Sequence, residues 1–163
     1  MLELRTIEIK DKTGRVIYTH QTHSIKLLED TLWLMLMNKI DIRCAILKGL
    51  NLNDNDSVSN DLKRYNFSYC DLSNSKFQNL DLSEINFSNA CLTNSTFINC
   101  KLTKSNLFGC DLYGCTFSGC DLSGSIIHKT TNIQSVTIDD SMIKNTKITC
   151  NFMNTKITNS NLS

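Results

Sequence analysis

Residues 70–124 read CDLSNSKFQNLDLSEINFSNACLTNSTFINCKLTKSNLFGCDLYGCTFSGCDLSG and repeat with a period of five residues. An amphipathic helix would place apolar residues about every 3.6 positions, and a half-buried strand would place them at every second position. Here a leucine, phenylalanine or isoleucine stands at every fifth position: Leu62, Phe67, Leu72, Phe77, Leu82, Phe87, Leu92, Phe97, Leu102, Leu107, Leu112, Phe117, Leu122 and Ile127. A strict repeat of this kind indicates a solenoid of stacked units.

Each unit also has a fixed pattern around its central residue. The position two before the centre is small or apolar, the position directly before it is mostly Asp or Asn, and Ser, Thr, Asn or Gly usually follow. The clearest units are CDLSN at 70–74, CDLYG at 110–114 and CDLSG at 120–124. The chain therefore resembles the pentapeptide-repeat family, whose pattern is roughly A(D/N)LXX. The resemblance implies a mainly β fold, a right-handed quadrilateral β-helix. Four repeats, about twenty residues, make one turn, and neighbouring turns lie about 4.8 Å apart.

A twenty-residue turn predicts the arrangement of the core. Residues twenty apart lie in one interior column, so Phe77, Phe97 and Phe117 form one column. Phe67 and Phe87 begin the column on the opposite side, and leucines fill the two columns between them. We expect the two opposed columns of phenylalanine rings to fill the interior of the coil, which is too narrow to hold anything else. Each buried ring or leucine contributes about 1.5–3 kcal/mol before conformational entropy is subtracted.

The register of the repeat changes along the chain. The five-residue apolar periodicity begins at Ile42 and is interrupted by a polar stretch that we interpret as a loop near 53–60. It shifts again near 130–151, where one residue is inserted and one is later lost, so we expect a distorted coil there. The sequence predicts a solenoid over residues 41–163, with about six coils.

Residues 1–40 are predicted to cap the first coil, because an open end would expose bare core and unpaired backbone. Residues 2–20 have the pattern of a β-hairpin with the turn DKTG. Ser24 is expected to N-cap a helix that runs to about Lys39. Its apolar residues recur at helical spacing: Ile25, Leu28, Leu32, Leu36 and Ile40. The alternative interpretation is a partner-binding groove on this helix.

The charge balance excludes several classes of partner. The chain has 17 basic and 16 acidic residues, so it has no strong field for gathering nucleic acid or anionic lipid. Its amino terminus lacks the apolar region of a signal peptide. The longest apolar run, Leu32 to Met37, is too short to cross a bilayer. We therefore expect a soluble, cytoplasmic protein of a bacterial cell or a phage-infected host, without a membrane segment or direct nucleic-acid binding.

Two short motifs suggest metal binding only weakly. His20 and His23 form an HxxH motif, but it lies at a strand-to-helix junction without nearby acidic ligands. The stretch NDNDS at 53–57 lacks the glycine and the terminal glutamate of a calcium loop. No set of Ser, His and Asp or of Cys and His has a plausible shared geometry. We predict no catalytic residue, no cofactor and no metal, and hence a protein that is not an enzyme.

The eight cysteines form no CxxC pair. Five of them occupy the inward slot two before the centre, where a free thiol serves as a small apolar group: Cys70, Cys100, Cys110, Cys115 and Cys120. We interpret them as structural thiols. The alternatives are metal binding and a redox function, for which Cys100 and Cys120 would stack within disulfide reach.

Apolar side chains interrupt the polar outer surface at Ile98, Phe108 and Tyr113. Phe108 and Tyr113 occupy the same outward slot in successive repeats, so they are expected on adjacent faces of one coil. Exposed aromatic residues that cluster are typical of contact surfaces. We hypothesise that these three residues contact a partner, and the alternative is scattered surface apolarity.

The sequence favours a non-catalytic scaffold that binds a protein partner and inhibits or shields it, such as a phage-encoded inhibitor of a host or defence protein. The alternative comes from the family resemblance. Its best-understood members mimic duplex DNA and bind type II topoisomerases such as DNA gyrase. Balanced charge weighs against mimicry, because a substitute for DNA phosphates should be strongly negative.

The last recognisable coil carries Phe152, Ile157 and Leu162 with no predicted cap after it. An uncovered coil exposes core and backbone, and two-fold stacking of two chains would close it. The sequence therefore predicts a homodimer through the carboxyl-terminal coil. The alternative interpretation is a frayed end.

Overall fold

The structure, a computed structural model, describes residues 4–23, 27–53, 62–63, 65–128, 131–148 and 154–161. Its first element is an antiparallel hairpin of β1 (Arg5–Lys10) and β2 (Val16–Thr22). The Asp11 carboxylate fixes the turn, because its Oδ1 accepts the backbone N–H groups of Thr13 at 2.9 Å and Arg15 at 3.1 Å. The predicted hairpin is therefore present.

Helix α1 (Leu27–Met37) follows the hairpin. It ends in a Schellman motif, in which Lys39 has a φ of 56° and the Ile40 N–H donates to the Met35 carbonyl over 2.9 Å. Ser24, the expected N-cap, lies outside the described residues. Leu32 is fully buried and Met35 with it, whereas Met37 on the outer side is 61% exposed.

Backbone hydrogen bonds attach this cap to the first coil. The Ile46 N–H donates to the Lys10 carbonyl over 2.8 Å, which adds the end of the hairpin to one face of the solenoid. The Glu29 side chain of α1 accepts the Asn51 N–H at 2.8 Å. Together with the buried helix residues, these bonds cover the edge at which the coil begins.

Short parallel strands make up the walls of the solenoid. They are β3 (Asn51–Asn53), β4 (Lys76–Gln78), β5 (Thr96–Ile98), β6 (Thr116–Ser118), β7 (Ile126–Ile127), β8 (Thr137–Asp139), β9 (Lys147–Ile148) and β10 (Lys156–Thr158). Six of them form one sheet in the order β10-β8-β6-β5-β4-β3, and β7 pairs with β9. Isolated parallel bridges join the remaining walls. The fold is therefore a mainly β solenoid, as predicted. It has roughly four consecutive turns of about twenty residues between positions 62 and 143, whereas the sequence predicted about six coils over residues 41–163.

Five-residue units turn a corner after each wall and give the coil four faces. We name each face by one central residue: the Phe77, Leu82, Phe87 and Leu92 faces. The Phe77 face is the six-stranded sheet, in which Phe77 pairs with Phe97 and Phe97 with Phe117. The Phe87 face lies opposite the Phe77 face.

The spacing along the Phe77 face varies at both ends. Leu52 pairs with Phe77, twenty-five residues later, which is five residues more than an ordinary turn. Phe117 pairs with Ile138, twenty-one residues later, and Ile138 with Ile157, nineteen residues later. The stack thus continues through both changes. Most of the predicted loop, and the sites of the predicted insertion and loss, lie outside the described residues.

Side chains before each central residue shape the corners. The Asp or Asn in that slot accepts the N–H two residues later, as Asp81 Oδ1 does from Ser83 at 3.0 Å. The second residue after the centre has a positive φ in nearly every described unit. Asparagine and glycine favour that conformation, which explains why they recur there in this sequence.

Phenylalanine ladders fill the core as the sequence predicts. The rings of Phe77 and Phe97 stack with centroids 4.8 Å apart, and those of Phe97 and Phe117 with centroids 4.9 Å apart. The opposite ladder places Phe67 and Phe87 at 5.7 Å. Phe87 meets both Phe77 and Phe97 edge-on across the core, which is a favoured aromatic geometry.

The inward side chain two positions before the centre also donates a hydrogen bond to the backbone of the preceding coil. Ser95 Oγ donates to the Leu72 carbonyl of the preceding coil over 2.8 Å. Cys115 Sγ donates to the Leu92 carbonyl over 2.7 Å. A small side chain with one donor therefore suits this slot, since it fills little volume and satisfies a buried carbonyl.

Substitution of Phe97, the middle ring of its column, tests how much the stacked phenylalanines stabilise the fold. We expect Phe97→Ala to lower the free energy of unfolding by about 3–5 kcal/mol, because it removes a ring that contacts three others and leaves a cavity between rigid coils. Ser118→Ala, at an outward position of the same sheet, should cost about 0.5 kcal/mol or less. Urea unfolding followed by circular dichroism measures both, and equal losses would contradict the inward and outward assignment.

Substitution of Gly114, which lies at a corner of the coil, tests how closely neighbouring coils pack. A Cβ added at Gly114 would collide with the Asn94 side chain of the preceding coil, and φ there is +67°. Gly49 has a similar φ, +72°, but no atom within 4 Å of an added Cβ. Gly49→Ala should cost about 1–2 kcal/mol for the left-handed backbone alone. Gly114→Ala should cost about 1–3 kcal/mol more, because Asn94 has to move. Equal losses in denaturant unfolding would show that the coils do not pack this closely.

Candidate functional site

Two exposed aromatic side chains lie on either side of one corner of the solenoid. Phe108 on the Phe87 face is 39% exposed, and Tyr113 on the Leu92 face is 44% exposed. Both occupy the slot directly after the centre of their unit. In the preceding coil the same slots hold Ser88 and Thr93, so apolar side chains here are not required by the fold.

More side chains extend this surface along the Phe87 face. Ile126 is 39% exposed, and the His128 ring lies against Phe108 with centroids 5.1 Å apart. Tyr69, at the same corner two coils earlier, is 51% exposed. We call these residues the aromatic edge: Tyr69, Phe108, Tyr113, Ile126 and His128.

The backbone of Phe108 and Tyr113 is hydrogen-bonded to the preceding coil and, at Tyr113, to a side chain of the same coil. The Phe108 and Tyr113 carbonyls accept the N–H groups of Asn89 and Asn94, each over 2.8 Å. The Tyr113 N–H donates to Asp111 Oδ1 over 3.1 Å. Because this backbone is already ordered, binding here costs little backbone freedom, which favours the use of these residues as contacts.

The sequence singled out Phe108 and Tyr113 but not Tyr69 or Ile126. Ile126 stands directly before its central residue, in a slot that usually holds Asp or Asn, so its apolar character was a usable signal. Tyr69 occupies a corner slot with a φ of 62°, where Asn or Gly is usual, and this departure was also visible.

The other sequence-predicted contact residues lie elsewhere. Ile98 is half-buried in β5 on the Phe77 face, opposite Phe108, so the structure does not bring it to the aromatic edge. Ile157 is half-buried in β10, which lies at one edge of the sheet formed by the described residues. Phe152 and Leu162 lie outside the described residues.

Charges on the solenoid alternate in sign. Lys48 Nζ lies 3.3 Å from Asp71 Oδ2, and Lys63 Nζ lies 3.6 Å from Asp81 Oδ2. Along the Leu82 face, Lys101 stands between Asp81 and Asp121 in one column. No unbroken row of carboxylates runs along these columns.

The cysteines lie inside the coil. All seven in the described part of the chain are free thiols, and the five that the sequence assigns to the inward slot are buried. Burial raises the pKa of Cys70, Cys110 and Cys115 to about 12. A hydrogen bond between Cys100 and Cys120 lowers the pKa of Cys100 and raises that of Cys120. The three thiols with raised pKa values are therefore poor nucleophiles at neutral pH.

Among the described residues, no group of three or more His, Cys, Asp or Glu side chains is placed to hold a metal ion. His20 lies in β2, and His23 follows the end of that strand. In the same part of the chain, no helix has the length and apolar character that crossing a membrane requires.

Comparisons with known proteins agree with this architecture. The model of the pentapeptide repeat region matches residues 57–127. Rfr23, a pentapeptide-repeat protein from the cyanobacterium Cyanothece, has a crystal structure that aligns with 83% of this chain and 99% of its own. The identity is 18% and the TM-score is 0.61. A comparison with curated proteins finds no match.

Two further solved structures align less well. A pentapeptide-repeat protein from the thylakoid lumen of Arabidopsis thaliana matches 60% of this chain and 61% of its own, with 22% identity and a TM-score of 0.38. QnrB1, a plasmid-mediated fluoroquinolone resistance protein, matches 72% of this chain and 65% of its own, with 19% identity and a TM-score of 0.45.

The coil geometry defines a class of protein, a four-sided β-solenoid that presents outward side chains on a hydrogen-bonded backbone. Residues 57–127 match the family model of the pentapeptide repeat region, and over most of its length the chain is similar in fold to a solved pentapeptide-repeat protein. Proteins with this fold generally serve as structural or binding scaffolds.

Proposed function

We propose that this protein is a non-catalytic scaffold that binds a protein partner at the aromatic edge and inhibits or shields that partner. The observation that carries the proposal is the placement of Phe108 and Tyr113, two exposed aromatic side chains on adjoining faces of one coil. Exposed aromatic residues that cluster on a rigid surface are enriched among binding hot spots.

The energetics of the aromatic edge support contact with a partner. Phe108 and Tyr113 expose rings where Ser or Thr would serve the coil equally well. Burying such rings against a partner returns about 25 cal/mol for each Å² removed from water. Because the backbone beneath is already ordered, little of this gain is lost to ordering the site.

DNA mimicry that targets a type II topoisomerase such as DNA gyrase is less well supported. A mimic of phosphates needs a continuous negative surface. Here Lys48 and Lys63 neutralise Asp71 and Asp81, and Lys101 interrupts the column between Asp81 and Asp121. We therefore favour an apolar contact surface over mimicry.

Three finer predictions are part of this proposal. One is that the chain is phage-encoded and that its partner is a host or defence protein. Another is a cytoplasmic location. The third is a homodimer through the carboxyl-terminal coil, for which Ile157 is the predicted contact residue within the described part of the chain.

Affinity purification with matched variants tests the proposed function. The full chain and a Phe108→Ser, Tyr113→Ser double variant are used as baits in bacterial lysate, and bound proteins are quantified by mass spectrometry. We expect one dominant protein with the wild-type bait and at least a tenfold loss with the double variant, because two hot-spot side chains are removed. The double variant should fold, since the two preceding coils hold Ser or Thr in these slots.

Ile98→Ser is the control, because Ile98 occupies the same slot on the opposite face. It should retain the partner. A partner lost with Ile98→Ser and kept with the double variant would place the contact on the Phe77 face and contradict the proposal. Recovery of gyrase or topoisomerase subunits, independent of Phe108 and Tyr113, would favour the alternative function.

A further inference from the structure

Asp111 lies between the two aromatic side chains of the corner. It stands three residues after Phe108 and two before Tyr113, directly before the centre of its unit. Its Oδ1 accepts two hydrogen bonds, from the Tyr113 N–H at 3.1 Å and from Asn132 Nδ2 at 2.8 Å. The other oxygen, Oδ2, has no cation within ion-pair distance among the described residues.

The same slot in earlier coils shows what Oδ2 binds. Asp71 and Asp81 also use Oδ1 for their own turns, in hydrogen bonds from Ser73 and Ser83. Their Oδ2 atoms each face a lysine ammonium, Lys48 at 3.3 Å and Lys63 at 3.6 Å. In both cases the lysine comes from the slot after the centre of the preceding coil.

At Asp111 that lysine position is occupied by Thr93, which cannot supply a charge. The neighbours of Asp111 in its own column are Cys91 and Asn132, which are also uncharged. Among the described residues, Asp111 therefore has the slot and the turn hydrogen bond of the two ion-paired aspartates but no cation that pairs with it.

We infer that Asp111 receives a cationic side chain of the protein partner, an arginine, while the rings of Phe108 and Tyr113 flank it. The inference rests on the proposed function, because it names the chemistry that the aromatic edge recognises. A guanidinium suits this place, since it pairs with a carboxylate oxygen and also stacks on aromatic faces. A lysine would make the ion pair but stack less well.

Selection from a displayed library of random peptides on the immobilised full chain supplies a probe. Peptides are also selected on the Phe108→Ser, Tyr113→Ser double variant, and those enriched on both baits are discarded. The best remaining peptide is synthesised with each arginine in turn replaced by citrulline, its uncharged isostere. Dissociation constants are measured against the wild type, Asp111→Asn and Asp121→Asn.

Asp111→Asn removes the charge but keeps the turn, because Asn already occupies this slot at Asn86 and Asn106 and accepts the same N–H bond. Asp121→Asn is the matched control, a carboxylate in the same slot without flanking aromatic residues. We expect one arginine shared by the selected peptides. Its replacement by citrulline should weaken binding to the wild type about fivefold to tenfold, and should weaken binding to Asp111→Asn clearly less, because only the contact with the two rings is left to lose there. Asp121→Asn should bind as the wild type does.

The remaining outcomes separate the two claims. Peptides that need Phe108 and Tyr113, but bind Asp111→Asn as tightly as the wild type, would overturn the arginine inference and leave the proposed function standing. A shared lysine in place of arginine would overturn the choice of guanidinium. If no peptide distinguishes the wild type from the double variant, both the inference and the proposed function fail.

Discussion

Stacking of each coil on the one before it fixes nearly every other feature of this molecule. The rings of Phe77, Phe97 and Phe117 lie almost parallel and less than 5 Å apart, which is the distance between neighbouring strands. Side-chain contact and backbone hydrogen bonding therefore require the same coil-to-coil distance. A residue that pointed inward out of register would break both, so the five-residue pattern tolerates little change inside the coil.

The outside of the coil is free of that constraint. Each face offers two outward slots per unit, and the fold accepts Ser, Lys, Ile or Tyr there with the same backbone. The aromatic edge uses this freedom, because Phe108 and Tyr113 replace the Ser and Thr of the coil before. At Asp111 the turn needs only Oδ1, and in our proposal Oδ2 pairs with the partner's arginine. In the proposed function, departures from the repeat supply the contact residues, while the repeat itself carries the fold.

The interior was predictable because one physical requirement, an apolar side chain every fifth residue, determines it. The pairing of Leu52 with Phe77 was not predictable. The two residues are twenty-five apart instead of twenty, and five extra residues leave the five-residue periodicity of the sequence unchanged. For the same reason the ion pair of Lys48 with Asp71 could not be read from a twenty-residue spacing. The aromatic edge was half predictable. Phe108 and Tyr113 stood out, whereas the Asp111 carboxylate looked like every other Asp of the pattern until its neighbours were known.

Deletion of whole coils tests the central claim, that stability depends on stacking in a twenty-residue register, most directly. Removing residues 85–104 deletes one turn and leaves Phe77 beneath Phe117, so the ladder stays continuous. Removing residues 100–104 deletes one unit and places Phe117 above Leu92 instead of Phe97. Thermal unfolding of both variants and the full chain compares them. We expect the twenty-residue deletion to unfold cooperatively with a modest loss, and the five-residue deletion to lose more stability although it removes fewer contacts. A five-residue deletion as stable as the twenty-residue one would contradict the account.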